Sequence, residues 1–292
     1  MRLWNQNPRQ DNEYRQVITP FSLIWGYRAP VTIGLIAVNA AIWFIMVATD
    51  SLGLLPIDKW WFQYFAMTPE GVIHRFLVYQ ILTNVFLHDT TSILHLFFNM
   101  YFLWVFGPRV ERRFSSRTFV VFYLVCGVSG SILSLVMRAL MGDWTMPSIG
   151  ASAAIFGVLV AYGFLFANDL LLLFFVIPIK AWKTVLGLVI IEVVFIIVTL
   201  LGIDLGVLSQ IDHWAHLGGS AAAAVWMLVM ARRTQHITGI GWTHDGIIVE
   251  LPNPGRTRGP RRVRILLGRR RPAPKDHPEG SDNEPPPDWF KL

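Results

Sequence analysis

A series of long apolar segments, separated by short polar stretches, constrains this chain more than any other feature of its sequence. Six such segments lie at residues 31–48, 93–106, 118–137, 151–166, 185–201 and 214–231. A helix needs about 20 mostly apolar residues to cross a bilayer, because every backbone polar group must be hydrogen-bonded internally where water is absent. The second segment is short for a crossing and is expected to extend upstream through Thr91. The pattern predicts an all-α polytopic membrane protein with six transmembrane helices.

The composition supports this interpretation, since 53% of the residues are hydrophobic and only 15% are charged. Soluble domains carry roughly a quarter charged residues. The single cysteine, Cys126, excludes an intramolecular disulfide and is interpreted as a packing residue. No basic start leads into an apolar core within residues 1–30, so a cleaved signal peptide is not expected. Residues 170–179 are too short for a further span and are predicted to connect to the fifth helix along the membrane interface.

The distribution of Lys and Arg predicts the orientation, because these residues stay on the cytoplasmic side of short loops. The N-terminal segment, the loop after the second span and the loop before the fifth span carry Arg2, Arg9, Arg15, Arg28, Arg109, Arg112, Arg113, Arg117, Lys180 and Lys183. The opposite loops are poor in basic residues, and none occurs between Gly202 and Asp212. Both termini are therefore predicted to face the cytoplasm.

The sequence divides into a cytoplasmic N-terminal segment (1–30), a membrane domain (31–231) and a basic C-terminal tail (232–292). The tail mixes Pro, Gly, acidic residues and arginines, so it is predicted to be a mostly disordered cytoplasmic segment. Residues 241–251 alternate enough to predict a short strand or hairpin. Attraction to anionic lipid, at about 1 kcal/mol per basic residue, explains the basic cluster better than nucleic-acid binding, which is not expected.

Polar side chains inside the predicted spans are the strongest functional signal, because such residues are costly in a bilayer. The second span carries His95 and Asn99, the fourth carries Ser152 and the sixth carries His216, each near the start of its helix. In the predicted topology these three helices start on the same side of the membrane. The four side chains are therefore expected at one depth, near the extracytoplasmic face.

This set of residue types suits nucleophilic catalysis. A serine hydroxyl such as that of Ser152 becomes a nucleophile when a base such as His216 accepts its proton. His95 and Asn99 lie one turn apart on the same helix face and are candidates to stabilise an oxyanion together with the Ser152 backbone N–H. Each residue alone would more often be a structural hydrogen-bonding group between helices.

A metal site is an alternative use of the histidines, with His213 and His216 joined by His88 or His95. We disfavour it because the sequence has no His-Glu-x-x-His motif and shows no acidic residue beside these histidines within a span. Neither a metal nor a cofactor is expected.

Small residues predict that the fourth and sixth helices approach closely, as Gly and Ala at four-residue spacing permit. The stripes are Ala153, Gly157 and Ala161 in the fourth helix, and Gly219 and Ala223 in the sixth. Phe156 is expected to pack against the His216 ring. Asp212 is interpreted as a cap of the sixth helix rather than a third catalytic residue. Glu192 is expected to form an interhelical hydrogen bond, with no assigned role.

Three motifs resemble those of the rhomboid family of intramembrane serine proteases. They are Gly150-Ala151-Ser152-Ala153, His95-Leu96-Phe97-Phe98-Asn99 and Ala215-His216-Leu217-Gly218-Gly219. The resemblance covers about residues 31–231 and implies a six-helix rhomboid-like bundle, a Ser–His dyad without an acidic third member, and a membrane-dipping first loop at about 49–92. It also implies cleavage of the transmembrane segments of other membrane proteins. The family usually has Gly where this chain has Ala153.

The same resemblance leaves a second hypothesis, a catalytically inactive rhomboid-like protein that binds transmembrane clients. Retention of both Ser152 and His216 favours the protease. A compact chain of this kind is expected in a bacterial inner membrane.

Gly127-Val128-Ser129-Gly130 matches the family's Gly-x-Ser-Gly pattern better than the segment around Ser152. Ser129 is nevertheless predicted to be a packing residue, because it lies roughly 16 Å into the third helix from its cytoplasmic end.

Overall fold

The computed structural model describes residues 29–52, 57–173, 177–204, 206, 211–234, 239–243, 246–251 and 261–266. Its α-helices are α1 (Pro30–Ser51), α2 (Ile57–Phe65), α3 (Gln80–Thr83), α4 (Ile93–Phe114), α5 (Ser116–Leu140), α6 (Ser152–Leu165), α7 (Ala181–Leu200) and α8 (His213–Thr234). Each of the six predicted spans corresponds to one of the helices α1, α4, α5, α6, α7 and α8, of which α6 is the shortest. The second span extends downstream to Phe114 and not upstream through Thr91, because α4 begins at Ile93. The predictions for residues 1–28 and 267–292 lie outside the described residues.

Five of these helices, α1, α4, α5, α7 and α8, are long and apolar enough to cross a membrane. Their outer faces carry large exposed apolar side chains, such as Phe44 on α1 and Ile190 on α7. Because such surfaces are unfavourable in water, they are suited to contact with lipid tails. The chain is a multi-pass membrane protein with a helical bundle.

The central helix of the bundle is α6, which packs against α4, α5, α7 and α8. Ten of its 14 residues are buried, so it faces protein rather than lipid on nearly all sides. At 1.5 Å per residue a helix of this length spans about 21 Å, which is shorter than the roughly 30 Å hydrocarbon core. An end of α6 can therefore lie below the membrane surface, and Ser152 is its first residue.

Buried ionic groups join the helices at the end opposite to Ser152. Glu111 on α4 accepts hydrogen bonds from the backbone N–H groups of Val31 and Thr32 at 3.1 and 2.8 Å, and thereby satisfies the start of α1. Arg109, also on α4, bonds to Tyr162 of α6 and forms an ion pair with Asp169. These contacts hold α1, α4 and α6 in register.

The segment between α1 and α4 is built from short elements. After α2 come a π-helical turn at Glu70–His74, the single turn α3 and a 3₁₀ turn at Asn84–Phe86. Gln80 is fully buried and donates from its side chain to the Gln63 and Tyr64 carbonyls at 3.0 and 3.3 Å. This long connection is therefore a packed substructure.

Two regions contain strands beyond those expected from the sequence. Within residues 170–179, predicted as an interfacial connection, lie most of two paired antiparallel strands, β1 (Leu170–Leu173) and β2 (Ile177–Lys180). The tail, predicted to be mostly disordered, contains an antiparallel sheet of β3 (Gly239–Thr243), β4 (Gly246–Leu251) and β5 (Arg261–Leu266). Alternating β-branched residues favour strands there despite the high charge. The hairpin expected within 241–251 is confirmed, and the chain divides into two compact units near residue 234.

Candidate active site

The starts of α6 and α8 bring Ser152 and His216 together. The His216 Nε2 lies 2.8 Å from the Ser152 Oγ, which is a hydrogen-bonding distance. The His216 ring stacks on Phe156 with ring centroids 4.3 Å apart and planes at 15°, as the sequence predicted. Because the ring is held on one face and hydrogen-bonded at one edge, its orientation toward the serine is defined.

Glycines allow α6 and α8 to approach closely enough for this contact. A Cβ atom at Gly219 of α8 would lie only 2.0 Å from the Ala153 carbonyl oxygen of α6. At Gly157 a Cβ would lie 2.5 Å from the sulfur of Cys126 on α5. The predicted close packing of small residues is confirmed, and the buried Cys126 is a packing residue as expected.

Ala153 is accommodated by a glycine on the neighbouring helix. Its methyl group lies 2.5 Å from where a Cβ of Gly130 in α5 would stand, so the absence of a side chain at Gly130 makes room for it. The methyl group points toward α5 and leaves the Ser152–His216 contact intact. Gly130 and Gly127 therefore belong to helix packing, which agrees with the packing role predicted for the segment around Ser129.

The turn before α6 explains why glycine precedes the serine by two residues. Gly150 has φ +113°, a backbone conformation that residues with a Cβ rarely adopt. A Cβ at this position would also lie 2.7 Å from Nε2 of His95. The absence of a side chain thus lets His95 of α4 approach the beginning of α6, where backbone N–H groups have no partner within the helix.

The second oxyanion candidate, Asn99, is buried one turn below His95. Its side-chain nitrogen donates one hydrogen bond to the His95 carbonyl at 2.8 Å. An amide nitrogen carries two N–H bonds, so the second N–H of Asn99 can donate to another acceptor. The structure gives no contact of Asn99 with Ser152, and the role of Asn99 stays a prediction.

Asp212 caps α8, as predicted from the sequence. Its Oδ1 accepts from the Ala215 backbone N–H at 3.1 Å, and its Oδ2 accepts from the Ser134 hydroxyl at 2.5 Å. Burial opposes ionisation of this carboxyl, but Arg138 and these hydrogen bonds hold its pKa below the usual value. Asp212 thus ties the start of α8 to α5.

Glu192 forms the interhelical hydrogen bond predicted for it, with His213, but its position beside the dyad was not foreseen. Glu192 of α7 lies with Oε2 2.6 Å from His213 Nδ1 and with Oε1 3.1 Å from His216 Nδ1. The expectation that no acid stands beside these histidines was wrong, because it considered neighbours along the chain and Glu192 comes from another helix. A useful signal was present, since Glu192 is the one ionisable residue between 184 and 203.

Glu192, His213 and His216 present ligand atoms within 4.8 Å of one another, a spacing that would also suit a metal ion. The Glu192–His213 contact and the His216–Ser152 contact already engage three of the polar atoms in direct hydrogen bonds. These contacts favour a hydrogen-bond network over a metal site.

Comparison with known proteins finds similarity to several rhomboid proteins. The chain is 36% identical to the rhomboid protease GluP of Bacillus subtilis over 141 residues, which are 48% of this chain and 24% of that protein. It is 30% identical to RHOMBOID-like protein 4 of Arabidopsis thaliana over 192 residues, 65% of this chain and 41% of that protein. With the mitochondrial presenilin-associated rhomboid-like protein of Mus musculus it shares 28% identity over 259 residues, 87% of this chain and 61% of that protein.

The chain spans less than two thirds of the length of each of these relatives. The rhomboid domain family matches residues 75–233, more than half of the 292 residues and the part that contains all four predicted site residues. This chain therefore belongs to the rhomboid family.

Proposed function

We propose that this protein is an intramembrane serine endopeptidase that cleaves transmembrane segments of other membrane proteins with a Ser152–His216 dyad. The observation that supports the proposal best is the 2.8 Å contact between His216 Nε2 and Ser152 Oγ at the starts of two closely packed helices. A serine hydroxyl next to a neutral imidazole nitrogen is the arrangement that nucleophilic catalysis requires.

The reaction would follow the usual course of acyl transfer. His216 Nε2 accepts the hydroxyl proton as Ser152 Oγ attacks the scissile carbonyl carbon, and a tetrahedral oxyanion forms. The backbone N–H of Ser152, the ring of His95 and the side chain of Asn99 are the proposed donors to that oxyanion. His216 then gives the proton to the leaving amine, and a water molecule activated by the same ring hydrolyses the acyl-enzyme.

The location of the site supports a substrate within the membrane. Ser152 begins a short central helix, so it can lie below the outer surface of the bilayer. A peptide bond in a transmembrane helix is protected by its own hydrogen bonds. Substrates are therefore expected to have helix-weakening residues near the outer face, so that the chain unwinds locally before it reaches the serine.

We also propose that both termini lie in the cytoplasm, because basic residues concentrate in the loops on that side. The proposed location is a bacterial inner membrane. The membrane domain at 31–231 would carry the activity. The basic tail would contact anionic lipid headgroups.

A fluorophosphonate probe, which reacts with activated serines, tests the proposed nucleophile. The wild type and Ser129→Ala are expected to be labelled, whereas Ser152→Ala and His216→Ala are expected to lose both labelling and cleavage of a transmembrane substrate. Ser129→Ala is the matched control, because it removes a hydroxyl from the competing Gly-x-Ser-Gly segment. Labelling that persists without Ser152 and disappears without Ser129 would overturn the assignment. Absence of labelling in a well-folded wild type would favour a client-binding protein without protease activity.

A further inference from the structure

The side of His216 that faces away from Ser152 contacts a carboxylate. Glu192 is 8% exposed and is the only ionisable residue among the four buried residues of α7, which are Ala181, Val185, Glu192 and Ile196. Its neighbours on the helix, such as Ile191 and Val193, point outward. A buried carboxylate is costly in free energy unless its oxygens are paired. The groups that pair with the oxygens of Glu192 therefore indicate its role.

Both carboxylate oxygens of Glu192 point at histidines of α8. Oε2 lies 2.6 Å from Nδ1 of His213, and Oε1 lies 3.1 Å from Nδ1 of His216. The His213 ring is itself held against Phe195 of α7, with centroids 4.8 Å apart and planes at 18°. His213 thus anchors one oxygen of the carboxylate and leaves the other beside the catalytic ring.

The contact with His216 involves Nδ1, and the hydrogen on this nitrogen decides whether Nε2 can accept a proton. Nε2 can accept the serine proton only if the neutral ring carries its hydrogen on Nδ1. A carboxylate beside Nδ1 favours that tautomer and stabilises the imidazolium that forms during the reaction. Without such an acceptor the hydrogen can reside on Nε2, where it blocks proton transfer.

The His216 Nδ1 has no aligned hydrogen bond to any of the described residues, although Glu192 Oε1 lies within reach. Catalytic hydrogen bonds are often poorly aligned before substrate binds and tighten in the complex. A small rotation of the carboxylate, with His213 as its fixed point, would align this one.

We infer that Glu192 is a positioning residue for His216, with its carboxylate anchored by His213 so that the His216 ring keeps its proton on Nδ1 and accepts the Ser152 proton on Nε2. This inference rests on the proposed protease function, and it adds to the Ser152–His216 dyad a positioning carboxylate on α7. The step it adds is local, since the proton moves from Oγ to Nε2 while the Nδ1 proton stays beside Glu192.

The test uses the whole 292-residue chain in detergent, with Glu192→Gln and Glu192→Leu. Glu192→Gln keeps the size of the side chain, and Glu192→Leu removes both oxygens. Glu111→Gln is the matched control. It also neutralises a buried carboxylate, but the carboxylate of Glu111 accepts its hydrogen bonds from the start of α1. Loss of the orienting Asp in a soluble triad costs about 10⁴-fold in kcat. For the longer and less aligned contact here we expect a fall of about 10- to 100-fold in kcat and labelling rate, with KM unchanged.

The tautomer of His216 provides a readout that a structural role alone would not move. In protein labelled with ¹⁵N-histidine, the His216 signals are identified by their loss in His216→Ala. We expect Nδ1 to be protonated in the wild type and in Glu111→Gln, and the Nε2–H form to increase in both Glu192 variants. Unchanged tautomer and unchanged labelling rate would overturn the inference, as would a loss of stability alone.

The two proposals fail in different ways. A wild type that neither reacts with the probe nor cleaves substrate would contradict the protease function, while the tautomer measurement would still decide whether Glu192 positions His216. An active wild type with an unaltered Glu192→Gln variant would contradict only the positioning role.

Discussion

Replacement of Gly219 by alanine tests whether the approach of α6 and α8 sets the catalytic geometry. The added methyl group would lie 2.0 Å from the Ala153 carbonyl oxygen, whereas the closest favourable C–H···O contacts have carbon and oxygen about 3.3 Å apart. The two helices must therefore separate by roughly 1 Å at this point. Gly219 lies one turn from His216, and Ala153 is adjacent to Ser152, so the displacement acts directly on the dyad.

The expected effect follows from that displacement. A separation of this size would lengthen the 2.8 Å contact between His216 Nε2 and Ser152 Oγ beyond the upper limit of about 3.0 Å for O–H donors. A misplacement of about 1 Å can cost 10²-fold in rate, and overpacking typically costs about 1–3 kcal/mol in stability. We expect Gly219→Ala to lose about 100-fold in labelling rate and to lower the thermal midpoint.

The assay compares the second-order rate of fluorophosphonate labelling and the thermal midpoint in the same detergent. Gly34→Ala in α1 is the matched control, because a Cβ at that position meets no atom within 4 Å apart from the adjacent residues and backbone of its own helix. It should keep the wild-type rate and gain slightly in stability, since alanine favours helix more than glycine. A Gly219→Ala protein that reacts at the wild-type rate would refute the reasoning, whether or not its stability falls.

Three further predictions concern the oxyanion site, a buried histidine and the topology. Asn99→Ala should lose about 10²-fold in kcat, whereas Asn39→Ala, which removes an equivalent amide bond to the fourth preceding carbonyl in α1, should keep full activity. Burial and His95 lower the pKa of His88 from 6.5 to about 3. Between these values the unfolded chain takes up a proton more readily than the folded protein, so the free energy of unfolding should fall as the pH falls from 6.5 toward 3. His88→Asn should weaken this dependence of the thermal midpoint, and an equal dependence in both proteins would contradict it. Reporter fusions should indicate cytoplasm after Phe114, Lys180 and Arg233, and the outside after Trp60, Asp143 and Asp204; an inverted pattern would place the site at the cytoplasmic face.

The membrane architecture follows from the sequence because the bilayer imposes a local rule. A run of about 20 apolar residues satisfies its own backbone hydrogen bonds as a helix, so every predicted span corresponds to a helix of the structure. The prediction of Ser152 rather than Ser129 as the nucleophile also rests on local information, since helix direction and residue count give depth. Capping by Asp212 depended only on its place before α8.

Contacts between distant segments depended on tertiary structure. The sequence showed that Glu192 is an isolated acid in an apolar span, but the rotation of α7 about its axis decides that this acid faces α8. The space that Gly130 leaves for Ala153 likewise depends on how α5 and α6 cross. Strand pairing in the tail joins segments up to 20 residues apart, which composition does not report. The sequence by itself thus determined the spans and the chemical groups available, whereas packing between helices decided which of those groups meet, because periodicity describes one helix and a contact requires two.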